Sequence, residues 1–153
     1  MVDWHNCDRS GTDLSGANLL GADLAGLSLR GADLTGANLL GADLTAADIL
    51  GADLNGAVLA AADLTAANLA GANLAGAHLT GADLGGAILK GADLPNANLT
   101  DANLTSATVD TTNFTSAITV GVDFTDGTWI NTTCPDGTNS STNGNSCVGH
   151  WDF

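Results

Sequence analysis

Residues 31–50 read GADLTGANLLGADLTAADIL, and Leu34, Leu39, Leu44 and Ile49 put a branched apolar residue at every fifth position. Neither common element uses that spacing. Five residues advance an α-helix by about 500°, so the leucines would spiral around its surface. On a flat strand five is an odd step, and successive leucines would face opposite sides.

Followed outward, the period holds from Leu14 to Trp129: 24 units with no insertion or deletion, every centre apolar except Thr119. Trp4 continues the phase toward the N-terminus and Arg9 breaks it. Two residues before each centre stands Ala in most units, Asp or Asn lies between, and Gly often follows two residues after. In an extended segment Ala and Leu share one face and the Asp or Asn takes the other. Each unit therefore reads as a very short strand with Ala and Leu inward. The two remaining residues, drawn from Gly, Asn, Ser, Thr and once Pro95, turn a corner. Repeated, this coils the chain around an axis of stacked leucines, with coils about 4.8 Å apart, the ordinary strand spacing.

Units such as GADLT, GANLL and GADLN resemble the A(D/N)LXX tandem signature of pentapeptide-repeat proteins, and the resemblance covers residues 12–131. It implies an all-β fold: a right-handed quadrilateral β-helix, or β-solenoid, with four units per coil and about six coils, a rod roughly 29 Å long at strand spacing. The expected organisation is an N-terminal cap and irregular coil over 1–11, the β-helix over 12–131 and a capping tail over 132–153. A disordered low-complexity chain is the competitor, and such chains lack a phased apolar position.

Four units per coil put residues ten apart on opposite faces. Outward positions ending in 3 hold nine Asp among twelve residues from Asp13 to Asp123, while those ending in 8, from Asn18 to Thr128, hold Asp48 alone. Two opposite acidic faces and two nearly neutral ones follow, with Arg30 and Lys90 in one neutral column. Stacked carboxylates repel, so some are expected to titrate above the ordinary carboxylate value, and the column Asp23, Asp43, Asp63, Asp83 is the worst case and a weak candidate for divalent cations. The plainer reading is a solvated face whose carboxylates accept nearby turn donors. Leu20 and Leu40 share a corner column, a basis for at most a weak dimer.

All 17 acidic residues are Asp, set against Arg9, Arg30 and Lys90, for a net charge of −14. That argues against direct binding of nucleic acid or anionic lipid and suits a basic protein surface. No stretch approaches the roughly 18–20 apolar residues of a membrane span, and no signal peptide is visible.

Beyond Trp129 the pattern stops. Cys134 and Cys147 bracket a loop rich in Gly, Asn, Ser and Thr, and a disulfide between them is expected, the alternative being two free thiols. Oxidation would favour an exported, periplasmic or lumenal setting; free thiols would favour the cytoplasm. Trp4, Trp129, Trp151 and Phe153 are candidates to cover the ends, and Cys7 falls on a small inward position. Asn131 and Asn139 open glycosylation triplets.

His5, His78 and His150 are scattered without metal-ligand spacing, GLSLRG around Ser28 fails the nucleophile-elbow pattern at Arg30, and no phosphate-binding glycine motif occurs. No enzyme activity and no cofactor are expected. The expected role is a structural or protein-binding scaffold. The resemblance supplies an alternative, an acidic mimic of duplex DNA that binds DNA gyrase, although family members that protect gyrase carry loops this repeat lacks. Thr45, Thr65, Thr105 and Thr125 form a column that would suit a crystalline surface, but the adjacent Asp column opposes an ice-binding face.

Overall fold

The computed structural model describes residues 8–143 and Cys147. Its organising feature is a backbone ladder with a period of twenty residues: every bridge from Asp8↔Ser28 to Asn113↔Thr133 joins residue i to residue i+20 in parallel. Four pentapeptides therefore complete one circuit. The bridges sort into four ladders, which define four sides. Ladder 1 runs from Asp8 to Thr128, ladder 2 from Asp13 to Thr133, ladder 3 from Asn18 to Ile118 and ladder 4 from Asp23 to Asp123. Ladders 1 and 3 are opposite, as are 2 and 4.

Each strand is so short that it pairs as an isolated bridge. The residue after the bridge donates its amide one coil onward, as Leu34 N–H does to the Asp53 carbonyl at 2.7 Å. The bridging residue donates one coil back, as Asp53 N–H does to Ala32 at 2.9 Å. This alternation satisfies the backbone around a buried core.

Corners explain the fifth-position chemistry. After each centre the chain closes a four-residue turn, for example Ala57 N–H to the Leu54 carbonyl at 3.0 Å. The third turn residue has positive φ, as Gly56 does at 62°, the signature of a type II turn. Glycine adopts that conformation without a Cβ penalty, and adding a Cβ at Gly56 would meet nothing within 4 Å. Where Gly is absent the chain still takes φ near 55°, at Ala46, Ala61, Ala66 and even the β-branched Thr111. At Leu94–Ala97 the second turn residue is Pro95, whose fixed φ suits that place.

The interior is a column of Leu and Ala. Leu34, Leu39, Leu44 and Ile49 are each fully buried, as are the centres from Leu24 to Leu104. Toward the C-terminal end the centres become aromatic. Phe114 is fully buried, and Phe124 and Trp129 pack on the core with ring centroids 4.8 Å apart. Thr112 and Thr132 replace inward Ala there, and each buried hydroxyl donates to a corner carbonyl of the previous coil, Leu89 and Val109 respectively. Past the last rung the tail turns back: Thr133 pairs antiparallel with Asn139, Ser140 N–H donates to the Thr132 carbonyl, and a short 3-10 helix covers Ser140–Asn143. Cys134 and Cys147 are buried and disulfide-bonded.

Candidate binding faces

Asp and Asn dominate the bridging position for a local reason. The residue precedes a corner, and its Oδ1 accepts the N–H two residues on, closing an Asx turn. Asp33 takes the Thr35 amide at 2.9 Å, Asp43 that of Thr45 at 2.9 Å, Asp63 that of Thr65 at 2.9 Å and Asp83 that of Gly85 at 2.9 Å. The same carboxylate thus stabilises its corner and charges its face. With Oδ1 fixed toward the backbone, the negative charge is held in a defined row instead of on a free rotor.

Ladders 2 and 4 carry the nine Asp of the positions ending in 3, so the two acidic sides are opposite. Within them Asn is placed as a spacer. Asn73 Nδ2 donates to Asp53 Oδ1 at 2.9 Å, Asn103 to Asp83 at 2.9 Å and Asn113 to Asp93 at 3.1 Å, each one coil back. Asn68 does the same for Asp48 on ladder 1 at 3.0 Å. An amide in the stack replaces a like-charge contact with a charge-assisted hydrogen bond. The sequence pattern treats Asp and Asn as equivalents and hides this division of labour; a donor twenty residues after its acceptor is the signal that would reveal it.

The column Asp23, Asp43, Asp63, Asp83 is continuous, each bridged to the next with no amide between. The expectation that repulsion raises carboxylates in this column is corrected at Asp63, which is shifted down. The Thr65 hydroxyl is the largest cause, followed by the Thr65 amide, with burial opposing and the Thr45 hydroxyl adding a further donor. Asp13 and Asp123 are lowered in the same way, by the hydroxyl and then the amide of Ser15 and Thr125. Donors directed at the ionised form outweigh the opposing desolvation. Among the described residues no group of three or more His, Cys or Asp is placed to hold a metal ion.

The neutral sides differ. Ladder 1 and its corner carry Arg30 and Lys90, and Arg30 Nη1 meets Asp48 Oδ2 of the next coil at 2.8 Å. Both expose apolar residues, Leu20, Leu40, Ile118 and Val120 on ladder 3 and its corner and Leu50, Ile88 and Ile130 on ladder 1 and its corner. Among the residues expected to cover the ends, Trp129 packs against Phe114 and Phe124. Trp4, Trp151 and Phe153 lie outside the described residues, as do Cys7, His5 and His150. Among the described residues no helix is long and apolar enough to cross a membrane.

Comparison with known proteins agrees with this geometry. A family profile described as pentapeptide repeats matches residues 2–31, 22–59, 58–94 and 77–115, with eight copies. No curated protein matches. Among solved structures, the chain is similar to HetL, a pentapeptide repeat protein involved in heterocyst differentiation regulation from the cyanobacterium Nostoc, with 31% identity and a TM-score of 0.56. That match covers 90% of this chain and 68% of the HetL chain. It is also similar to QnrB1, a plasmid-mediated fluoroquinolone resistance protein, at 25% identity and a TM-score of 0.78, covering 83% of this chain and 65% of that one. The chain thus spans less than two thirds of the QnrB1 chain. A twenty-residue ladder, a Leu and Ala interior, Asx-capped corners and a profile match over most of the length agree: the chain belongs to the pentapeptide repeat family.

Proposed function

We propose that this protein is a non-enzymatic, right-handed quadrilateral β-helix of about six coils that serves as a rigid protein-binding scaffold. Its β-helix spans 12–131, flanked by an N-terminal cap over 1–11 and a capping tail over 132–153. The Phe114, Phe124 and Trp129 cluster closes the C-terminal end of the core, and the Cys134–Cys147 disulfide supports an exported, periplasmic or lumenal setting over the cytoplasm. The observation that carries the binding role is the pair of opposite acidic sides, with carboxylates pinned by Asx turns at strand spacing. A preorganised row of charge loses little side-chain entropy when it meets a basic surface. The test is affinity capture with the wild-type rod beside one carrying Asp43→Asn, Asp63→Asn and Asp83→Asn. Partners of the wild type should be lost from the variant and eluted by moderate salt. Equal capture by both rods refutes the reading.

A second reading, mimicry of duplex DNA at DNA gyrase, is favoured by one specific quantity. Between Asp8 and Thr133, fourteen Asp against Arg9, Arg30 and Lys90 leave eleven net negative charges. Over six ladder steps, roughly 29 Å, that is one charge per about 2.6 Å, against about 1.7 Å for duplex DNA. The likeness to QnrB1 supports it. A supercoiling assay with purified gyrase, with and without a fluoroquinolone, decides: inhibition or protection that disappears in the triple Asn variant supports mimicry, and no effect on either reaction removes it.

A further inference from the structure

We propose that the Cys134–Cys147 disulfide is a redox latch on the last coil, residues 114–133. Oxidised, it holds the tail where a further coil would stand; reduced, it lets tail and last coil unwind together while the body stays coiled. The tail supplies backbone partners that the body obtains from its own repeat. In the body each corner closes with its own bond, as Ala57 N–H does to the Leu54 carbonyl, and each left-handed residue donates its amide to the next coil, as Gly31 N–H does to Leu50. After Asn131 the chain turns back, and the Asn131 amide goes to Ser141 Oγ at 3.0 Å. The last corner is bridged by a side chain: Ser140 Oγ accepts from Thr132 N–H at 3.0 Å and donates to the Trp129 carbonyl at 3.4 Å. Ser140 is fully buried. Two serine hydroxyls thus stand in for a further coil, and both lie in the loop that the disulfide closes.

The last coil is poor in stability of its own. Thr119 takes the place of a Leu centre, and Gly127 and Thr132 take the place of inward Ala. Val122, Phe124 and Trp129 are only partly buried. Its corners are strained as well. From Gly11 to Gly91 the left-handed residue is Gly except at Ala46, Ala61 and Ala66. In the last coil Ser116, Asp126 and Asn131 adopt φ of 58°, 59° and 55°, and Gly121 alone is glycine. The stability of a solenoid is a sum over neighbouring repeats, so a weak terminal coil opens without the body. Reduction is thiol–disulfide exchange. A dithiol attacks one sulfur, its second thiol resolves the mixed disulfide, and Cys134 and Cys147 leave as two thiols while the dithiol becomes a disulfide. Both cysteines are buried, so exchange waits on an opening of the tail, and the latch holds until then.

The experiment is hydrogen exchange read by mass spectrometry on the full chain in a Cys7→Ser background, where only one pair can form. Three samples are compared: oxidised, reduced with dithiothreitol, and carrying Cys134→Ser with Cys147→Ser. In the reduced and doubly substituted chains, amides of 114–143 should exchange on the order of a hundredfold faster, the loop-closure value for a loop of this length. Those of 24–94 should keep their protection, and reoxidation should return the slow exchange. Ser140→Ala keeps the disulfide but removes the bridging hydroxyl, and should speed exchange at Thr132 severalfold in the oxidised chain. Acceleration confined to 134–147 overturns the proposal, because the disulfide would then close its own loop and nothing more. Equal acceleration along the whole rod overturns it too, because the coils would then open as one unit. An oxidised Ser140→Ala chain that exchanges like its parent removes the serine stand-in on which the latch depends.

Discussion

The corners offer the cleanest test of how this sequence makes its fold. Gly56 and Ala61 occupy equivalent places in consecutive corners, with φ of 62° and 52°. Both donate their amides to the next coil at 2.9 Å, to Ala75 and Thr80. A Cβ on Gly56 would contact nothing within 4 Å, so Gly56→Ala changes backbone energy alone. The left-handed region costs an L-residue about 1–2 kcal/mol, and the smaller unfolded-state entropy of Ala returns about 0.5–1 kcal/mol. Gly56→Ala should therefore destabilise by about 0.5–1 kcal/mol, and Ala61→Gly should stabilise by the same amount. With an unchanged urea slope of about 2 kcal/mol per molar, the midpoints move by roughly 0.3–0.5 M in opposite directions. The two sites lie on different corner columns, so the double variant should return near wild type. A destabilising Ala61→Gly would refute the reasoning, because it would mean that chain entropy and not the positive φ governs the corner.

Other outcomes follow from the same geometry. Asn73→Asp keeps the Asx turn but replaces the Nδ2 bond to Asp53 with a like-charge contact, and should cost about 1 kcal/mol at low salt; added salt should recover part of it in a thermal melt. Leu64→Ala, at a fully buried centre, should cost about 2–5 kcal/mol in urea unfolding. Cys134→Ser, which opens the bond to Cys147, should lower stability by about 3 kcal/mol in the chain-entropy account, with the loss centred on tail amides in hydrogen exchange. Asp13, Asp63 and Asp123 are depressed in the folded state, so their contribution is complete above the unfolded value near 3.8 and is lost as pH falls through the folded values. Carboxyl NMR should place Asp63 below 3.8, and Thr65→Ala should raise it; no movement would dismiss the hydroxyl as the main cause.

The period of five alone identifies what points inward, and the structure buries the Leu and Ala centres accordingly. The number of units per circuit is not in the pentad itself; it came with the family resemblance, and the i to i+20 bridges show it directly. The charge on opposite sides was legible once that number was fixed. What stayed hidden depends on partners a full coil away or on backbone torsion. Asn73 and Asp53 look interchangeable in a pentad, and only their stacking makes one a donor to the other. Repulsion in the Asp23 to Asp83 column is visible in the sequence, whereas the Thr65 hydroxyl that lowers Asp63 acts through a turn geometry that the sequence does not display. Ala61 and Thr111 sit at positive φ because the coil's closure, not their own preference, sets the corner.

The twenty-residue ladder also makes the chain a rotary register. Deleting one complete circuit shortens the rod and leaves every downstream side where it was. Deleting a single pentapeptide preserves the interior, since Leu still follows Leu, but turns everything beyond it by a quarter revolution and carries the Asp rows onto the two neutral sides. Such a change is silent to folding and ruinous to surface pattern. The uninterrupted phase from Leu14 to Trp129 is therefore what keeps each side of one chemical character from end to end, and evolution can lengthen the molecule freely only in steps of four.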